Sequence, residues 1–365
     1  MGKNNIQLQA GLSLSQFFAT YGTEEQCEAV LIKSRWPDGY RCPKCKCAHP
    51  YVYWKNKVKT YQCSDCRKQV SLTEGTIFHS TKLPLVKWFQ AMFFMTQNKN
   101  NISTLELKRH MGVGYSAAWR VKHKLMQVMY ERETTTKLSG RVEVDDAYFG
   151  GELPGGKVGR GSENKIPFIA AIQTNASNNP VYAVFHQVKN FSLDEVSSWA
   201  KRSLVPDTVV VSDGLKCFAA VAEAGCFHQR EVVGKNRKST DMECFSWVNT
   251  ILGNLKTSVS GTYHAFGFEK HGYRYLGECQ YRFNRRFDLK SIFTRLVHAA
   301  THRLPTRVVF APSAFLDRFR KTKQILLLNQ EHKSYGIDLL CVLCVFAVRE
   351  LFFVVKSNGT FIYCR

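Results

Sequence analysis

Apolar residues follow two different spacings along the chain, and the change from one to the other falls near residue 140. Between residues 83 and 132 they recur at helical spacing in three successive segments, and a capping-box sequence that opens with Thr23 predicts an earlier helix to about Arg35. Short runs of β-branched residues predict strands at 166–174, 181–186 and 208–212, after an acidic strand that begins at Arg141. The pattern therefore predicts helices first and a mixture of helices and strands afterwards.

The order of the later elements predicts the type of sheet. A helix capped by Ser192 runs to Ser203 between the third and fourth strands, and another helix follows the fourth strand. The order strand, strand, strand, helix, strand, helix favours a mixed sheet covered by helices, as in ribonuclease-H-like domains. We therefore predict an α/β multidomain protein.

Length and charge narrow the functional classes. The chain has 365 residues, 44% of them hydrophobic, and a formal charge of +22. This length predicts two or three domains, and so large a positive charge indicates a polyanionic partner, with nucleic acid favoured over an anionic membrane surface. No apolar run reaches the ~18 residues of a membrane span, and the first thirty residues lack a signal-peptide pattern. We expect location in a bacterial cytoplasm, with the nucleoid, or in a eukaryotic nucleus.

Four cysteines have the spacing of a zinc ribbon. Two Cys-x-x-Cys pairs are separated by seventeen residues, at Cys42, Cys45, Cys63 and Cys66. Strand-like runs at 51–54 and 58–62 lie between the pairs, and Cys47 is interpreted as a spare thiol. The spacing is typical of a four-thiolate Zn²⁺ site, with free core cysteines or a redox pair as alternatives. Four thiolates leave no open position for water, so we predict a structural zinc ion.

The three helical segments between residues 83 and 132 carry a second binding pattern. The second segment starts at Ser103 and ends at glycines 112 and 114, and the third follows with basic side chains at Arg120, Lys122 and Lys124. Helix, glycine turn and basic helix form a helix-turn-helix pattern, which predicts that these three side chains contact DNA. A helical spacer with a basic face is the alternative.

Two acidic residues lie near the ends of predicted strands that are far apart in the chain. Asp145 lies in the strand that begins at Arg141, and Asp213 directly follows the strand at 208–212. Strands that each deliver a carboxylate near the carboxyl end can converge on one hard cation, although Asp is also common at turns. Ser212 precedes Asp213, but the sequence places no histidine to activate it, so we interpret it as an ordinary strand-end hydroxyl.

Polar residues follow one face of a predicted helix at 245–259. Asn249, Gly253 and Lys256 share this face. The Asn can offer a neutral oxygen to a metal, the Gly allows close backbone approach, and the Lys can reach a phosphate; a solvated polar face is the alternative. Further on, Arg285 and Arg286 follow an aromatic-rich segment and either contact DNA phosphates or lie on the solvated side of a core helix.

Taken together and in this order, these residues resemble a zinc-ribbon DDE transposase of insertion sequences, of the ISXO type within the Merlin superfamily. The resemblance extends from about residue 12 to 304 and is carried by the four cysteines and by the stretches 142–151, 211–214, 247–256, 261–264 and 281–287. It implies a ribonuclease-H-like catalytic domain that cleaves DNA and transfers strands with divalent metal ions. The implied partners are double-stranded DNA, as terminal inverted repeats and as target, and further copies of the chain in a homo-oligomer on that DNA.

The resemblance also implies the members of a metal-binding triad. The first two acids of the family correspond to Asp145 and Asp213, with Asp146 where relatives commonly carry Glu. The third member corresponds to Asn249, which lies 36 positions after Asp213, as in relatives that use Asn. Relatives with Glu usually carry it at the position of Leu252.

The cofactors and chemistry follow from that triad. Two Mg²⁺ or Mn²⁺ ions held by Asp145, Asp213 and Asn249 are expected to activate water and to stabilise the leaving oxygen, after which a freed 3′-hydroxyl attacks target DNA. Glu278 and Glu243 are less favoured candidates for the third ligand. This chemistry depends on positioning and charge neutralisation, so no covalent protein nucleophile is needed.

The predicted domains differ in composition and role. They are an N-terminal helical segment at 1–38, a zinc ribbon at 39–80, a helix-turn-helix bundle at 81–133, a catalytic domain at 139–304 and an atypical extension at 305–365. Relatives end soon after residue 304, so we interpret the extension as the product of a frameshift or read-through. Two other functions stay open: a DNA-binding regulator, or a transposase relic without activity.

Overall fold

The computed structural model describes residues 9–55, 58–98, 100–150, 156–157, 159, 162–232, 242–263 and 266–302, and the backbone of two strands near the C-terminus. By its internal contacts the chain divides into two compact units, Met1–Val309 and Phe310–Arg365. The stretch of the predicted extension at 305–352 lies outside the described residues, as does His264 in one of the stretches that carry the resemblance.

The first unit begins with helices and a small sheet, whose bounds are α1 Leu14–Tyr21, α2 Glu24–Arg35, β1 Pro50–Lys55, β2 Val58–Cys63 and β3 Gln69–Ser71. The capping box predicted at Thr23 is confirmed, because its hydroxyl accepts from the amide of Gln26 and the Gln26 side chain accepts from the amide of Thr23. The three strands pair antiparallel in the order β1-β2-β3. Tyr40 and Tyr61 stack with ring centroids 5.5 Å apart and connect the sheet to the helices.

The next three helices are α3 Leu85–Gln97, α4 Thr104–Met111 and α5 Tyr115–Glu133. Ser103 and Glu106 form a capping box at the start of α4, and Gly112 ends it with a φ of 65°, a left-handed conformation that favours glycine. Leu107, Met111 and Leu125 are fully buried in one hydrophobic core with α3. The predicted sequence of helix, glycine turn and helix is confirmed.

The mixed sheet follows, with its covering helices, as β4 Arg141–Phe149, β5 Ile166–Thr174, β6 Pro180–Gln187, α6 Leu193–Ser203, β7 Val209–Ser212 and β8 Phe227–Arg230. The strand order is β6-β5-β4-β7-β8. The first three strands pair antiparallel, whereas β4 with β7 and β7 with β8 are parallel. The predicted mixed sheet is therefore confirmed. Strand β8 was not predicted, and the helix predicted after β7 is a 3₁₀ helix at Lys216–Ala224.

Each face of the sheet has its own hydrophobic core. Val142 and Val144 point to one face and pack with Trp199 of α6 and Phe218 of the 3₁₀ helix. The alternate residues point to the other face, where α7, Ser246–Thr262, covers them. Because side chains alternate along a strand, Glu143, Asp145 and Ala147 all belong to the face covered by α7.

Two further helices, α8 Phe268–Phe283 and α9 Leu289–His302, complete this unit. Helix α8 lies between α5 and the edge strand β6, and its Gln280 accepts from the amide of Phe185 at 3.0 Å. Asn284, just after α8, accepts from the amide of Ala183 at 2.8 Å. These side chains cover an edge that would otherwise expose unpaired backbone groups. Helix α9 was not predicted, and it packs against α2 and α3 rather than against the sheet.

The second unit is described only as backbone. Its strands β9, Phe353–Ser357, and β10, Thr360–Cys364, pair antiparallel. Among the residues that the structure describes in either unit, no helix is both long enough and apolar enough to cross a membrane.

Gly277 allows α8 to lie directly against α5. A Cβ added at this residue would lie 2.6 Å from Cβ and 2.7 Å from Cα of Tyr130, both of which are fixed by the backbone of α5. Gly253 of α7 differs, because a Cβ there meets no heavy atom within 4 Å. No described part of the protein approaches Gly253 closely, so the close approach that the sequence suggested there stays a prediction.

We expect Gly277→Ala to lower the free energy of unfolding by about 1–3 kcal/mol, because the added methyl group overpacks the α5–α8 contact. Gly253→Ala is the matched control, and it should gain about 0.5–1 kcal/mol because alanine favours an open helical position. Urea denaturation of both variants measures the difference. Equal effects at the two positions would contradict the close contact.

Candidate metal centre

The predicted pair of aspartates lies together where the parallel pairing between β4 and β7 ends. Val144 of β4 is paired with Ser212 of β7, so Asp145 and Asp213 are the next residues along two neighbouring strands. One carboxylate oxygen from each of Asp145, Asp146 and Asp213 lies within 4.8 Å of the other two, and all three residues are half-buried. The structure thus brings the predicted pair together and adds Asp146 to it.

Local backbone contacts orient these carboxylates. The amide of Asp146 donates to Oδ1 of Asp145 at 2.9 Å, and the amide of Leu215 donates to Oδ1 of Asp213 at 3.0 Å. The second contact forms as β7 ends and the chain turns, which is a common use of Asp. Both aspartates are therefore held by the backbone that follows them.

The centre is electrostatically unfavourable without a cation. Burial, followed by the charges of Asp146 and Asp213, raises the pKa of Asp145 to about 7, and a backbone hydrogen bond and the charge of Lys256 oppose the rise. A like-charged cluster of this kind favours either protonation or a bound cation. Three carboxylates within reach of one point are also the hard oxygen ligands that Mg²⁺ and Mn²⁺ prefer. The donor set fits a divalent cation.

Helix α7 contributes the polar residues predicted beside this centre. Asn249 lies in its first turns, where its Nδ2 donates to the carbonyl of Phe245 at 3.0 Å. Lys256 is exposed and close enough for its charge to act on Asp145. The assignment of Asn249 as the third ligand stays a prediction.

Neither alternative third ligand belongs to the acidic cluster that the described residues form. Glu243 lines a cavity with Arg141, the first residue of β4, whereas Asp145 lies in the middle of that strand. Glu278 is fully buried in α8, where it accepts from the hydroxyl of Tyr263 at 2.7 Å. Position along the chain could not distinguish these acids, because their distance from the cluster depends on how the helices pack.

The expectation that no histidine accompanies Ser212 is wrong. Nε2 of His228, on the neighbouring strand β8, lies 2.8 Å from the hydroxyl of Ser212. That hydroxyl is buried and donates to the carbonyl of Asp213 at 3.1 Å. Ser212 and His228 therefore support the backbone that carries Asp213, and the missing signal was the unpredicted strand β8.

The four predicted zinc ligands lie together in the ribbon. All four sulfurs lie within 4.8 Å of one another, at Cys42, Cys45, Cys63 and Cys66. The nearest pairs of sulfurs are 3.4 and 3.5 Å apart, and none of the four is in a disulfide. Hydrogen bonds led by the amide of Cys45 lower the pKa of the Cys42 thiol to about 6, which favours the thiolate that Zn²⁺ binds. Because Zn–S bonds are about 2.3 Å long, sulfurs at this spacing fit a tetrahedral zinc ion.

The structure corrects part of the predicted DNA-contact set on α5. Arg120 is exposed near the start of the helix. Lys122, however, is fully buried, donates to the carbonyl of Ile102 at 2.7 Å and lies 3.9 Å from the ring centre of Tyr263, so it is not accessible to DNA. Lys124 is half-buried and donates to the carbonyl of Ile77 at 3.1 Å. Much of α5 faces α8, which leaves its N-terminal turns exposed.

The two predicted arginines after α8 are used inside the protein. Arg285 forms an ion pair with Glu133, whose side chain is 2% exposed. Arg286 donates to the carbonyls of Pro180 and Val181 on β6, and burial lowers its pKa to about 10. Both guanidinium groups fix α8 to its neighbours, so the predicted phosphate contacts are not supported.

Two known protein families match the parts of the chain that carry these two clusters. Residues 137–284 match the family model described as the ISXO2-like transposase domain, and residues 22–69 match the one described as the transposase zinc-ribbon domain. The first range contains the aspartate cluster and the second contains the four cysteines. These matches define the class as an insertion-sequence transposase with an N-terminal zinc ribbon. Within that class, residues 137–284 belong to the ISXO2-like transposase domain family, which confirms the resemblance found in the sequence.

Individual relatives are more distant. A protein in transposable element ISH50 of Halobacterium salinarum is 28% identical over 137 residues, which are 37% of this chain and 45% of that protein. The chain spans about half the length of this curated relative. Among solved structures, a pre-cleavage Mos1 transpososome has 7% identity and a TM-score of 0.19, covering 61% of this chain and 79% of its own. A Mos1 transposase paired-end complex with the left transposon end has 10% identity and a TM-score of 0.17, with coverages of 59% and 78%.

The raised pKa of Asp145 predicts a pH-dependent cost of folding. The unfolded chain releases this proton near the ordinary value of 3.8, whereas the folded chain keeps it until about pH 7. The cost is therefore absent below pH 3.8, grows between these values and is complete above pH 7. Without divalent metal, Asp145→Asn should be more stable than the native chain at pH 8, by at most about 4 kcal/mol, and this gain should shrink towards pH 4.

Urea denaturation in the presence of a chelator at pH 5 and pH 8 measures this difference. Asp38→Asn, in an exposed turn far along the chain from the cluster, is the control. An Asp145→Asn gain that is the same at both pH values would contradict the proposed cause.

The ribbon geometry predicts that folding and metal content are coupled. Cys63→Ser removes one of the four clustered sulfurs, so we expect loss of bound zinc and a lower melting temperature. Cys47→Ser is the matched control, because Cys47 is near the cluster but is not one of its four members. Zinc content by elemental analysis and thermal unfolding measure both effects. A Cys63→Ser protein that keeps one zinc ion per chain would refute the assignment.

Proposed function

We propose that the protein is a DNA transposase of an insertion sequence. It binds terminal inverted repeats and catalyses metal-dependent strand cleavage followed by strand transfer. The observation that carries this proposal is the cluster of Asp145, Asp146 and Asp213, whose carboxylate oxygens lie within 4.8 Å of one another in a domain of the ISXO2-like transposase family.

Two of these aspartates and one residue of α7 form the proposed catalytic site. Asp145 and Asp213 would hold Mg²⁺ or Mn²⁺, and Asn249 would complete the coordination with a neutral oxygen. Ions bound there would activate water or a DNA 3′-hydroxyl for attack and would stabilise the leaving oxygen of the phosphodiester. Asp146 adds a third negative charge beside the pair, which compensates for an uncharged ligand on α7.

The remaining groups in the site bind DNA rather than react with it. Lys256 is exposed beside the aspartates, so its ammonium group can contact a phosphate next to the scissile bond and hold the strand in place. The carboxylates are half-buried and so have reduced contact with bulk water, which strengthens charge interactions in the site. No covalent intermediate with the protein is required, in keeping with the buried position of Ser212.

DNA binding involves surfaces outside this site. The formal charge of +22 favours double-stranded DNA as the partner. Arg120, on the exposed start of α5, is positioned as the first residues of a recognition helix are in other helix-turn-helix proteins. We also propose that two or more copies assemble on the DNA ends, as the solved Mos1 complexes are described as a transpososome and a paired-end complex.

An end-cleavage assay with the repeats that flank the gene tests this function. Asp213→Ala should lower Mg²⁺-dependent cleavage by about 100-fold or more, because it removes a direct ligand of the catalytic ions. DNA affinity should be unchanged. Asp207→Asn is the control: Asp207 is exposed just before β7, at the opposite end of the strand that leads to Asp213.

The outcomes separate the alternatives. A native protein that binds the repeats but never cleaves them, with Asp213→Ala behaving identically, would support a DNA-binding regulator. If the full chain does not cleave the repeats but a chain truncated after residue 310 does, the result would support a relic that the extension has inactivated.

A further inference from the structure

We propose that Glu143 is a positioning residue for the metal centre. Its carboxylate ties the first turn of α7 to β4, and so sets Asn249 and Lys256 against Asp145. The inference rests on the proposed function, because it assigns Glu143 a role in that same site. Glu143 itself does not reach the aspartate cluster, which the described residues form without it.

Both carboxylate oxygens of Glu143 accept hydrogen bonds. The side chain is completely buried, and Oε2 accepts from the amides of Trp247 and Val248 at 3.0 and 2.9 Å. Oε1 accepts from Nη1 of Arg141 at 2.9 Å. Arg141 also donates from Nη2 to the carbonyl of Cys244 at 3.2 Å, just before α7. One ion pair of β4, with a fully buried carboxylate and a partly exposed guanidinium group, therefore holds the start of α7 at three backbone groups.

This contact caps the N-terminus of α7. The residue at the N-cap of α7 is Phe245, which makes no side-chain capping hydrogen bond. The first amides of a helix need acceptors, and the positive end of the helix dipole favours a carboxylate. Glu143 satisfies both needs from a strand that is about a hundred residues away in the chain. The burial of its charge is offset by the Arg141 pair and by two amide hydrogen bonds.

The contact lies in line with the proposed ligands. Glu143 and Asp145 are two residues apart on β4 and point to the same face, at a spacing of about 7 Å. On the helix, Asn249 directly follows Val248, and Lys256 lies two turns further along the same face. If α7 rotated or slid along the sheet, both residues would move relative to Asp145. The two amides that meet Glu143 fix that rotation and that position.

A second buried ion pair shows what a purely structural role looks like. Glu133 is 3% exposed and accepts from Arg285 and from Asn284, which joins the end of α5 to the end of α8. It has the same chemistry as Glu143 but contacts neither α7 nor β4 in these hydrogen bonds. Glu133→Gln is therefore the matched control for Glu143→Gln. Both variants lose a buried charge, and only one of them loosens the helix beside the centre.

Mn²⁺ binding by the full chain, measured by electron paramagnetic resonance without DNA, tests the inference. Asp145→Asn first identifies the binding that belongs to the cluster. Glu143→Gln should weaken that binding by about tenfold or more, and cleavage by a similar factor, as loss of a supporting contact does at other metal sites. Amide hydrogen exchange should accelerate at Trp247 and Val248. Glu133→Gln should leave Mn²⁺ affinity and these two amides unchanged, even where it lowers the melting temperature as much.

Three results would overturn the inference. The first is a Glu143→Gln protein whose Mn²⁺ affinity changes by less than about twofold. The second is a Glu133→Gln protein that loses as much Mn²⁺ affinity as Glu143→Gln, because the loss then reflects general stability. A native protein without Asp145-dependent Mn²⁺ binding removes the proposed function itself, and the inference with it. Should Glu143→Gln fail to fold, Glu143→Asp is measured in the same way: it keeps the charge but is one methylene too short to reach the helix, so the same loss is expected.

Discussion

The structure around the candidate centre depends on the repulsion between carboxylates that the sheet holds together. The pairing of β4 with β7 leaves Asp145 and Asp213 no freedom to separate, since both extend from neighbouring strands on the same face. Burial, followed by the charges of Asp146 and Asp213, raises the pKa of Asp145 to about 7, so an ionised carboxylate at this position is costly. A protein maintains such a cost where a cation offsets it, and the surrounding strands and helices supply the stability that makes it tolerable.

That stability comes from the way α8 joins two halves of the first unit. On one side Gly277 lies against Tyr130 of α5, and on the other side Gln280 and Asn284 bond the outer edge of β6. The same helix thus protects an edge strand and connects the sheet to the helix-turn-helix bundle. The bundle and the sheet are therefore joined by close packing as well as by the chain segment between α5 and β4.

Local signals in the sequence were enough to predict many of the elements, although not β8 or α9, whereas long-range partners could not be predicted. The capping box at Thr23, the helix start at Ser103 and each Cys-x-x-Cys pair depend on residues only a few positions apart in the chain. Lys122, by contrast, looks like its basic neighbours in the sequence, yet it is buried beneath Tyr263. Periodicity gives the face of a helix but does not show that α8 covers it. Similarly, no residue near Glu143 in the sequence indicates that its carboxylate accepts hydrogen bonds from a helix about a hundred residues later.

The composition of α7 follows from the charges already present on the sheet. Three carboxylates lie together where the pairing of β4 with β7 ends. Burial and then the neighbouring charges raise the pKa of Asp145, so a fourth acid facing them from α7 would make an ionised cluster still more costly. In the proposed centre Asn249 instead offers an oxygen without charge, and Lys256 brings a positive charge that opposes the rise. Three carboxylates with a neutral oxygen and an ammonium group suit divalent cations without adding further negative charge.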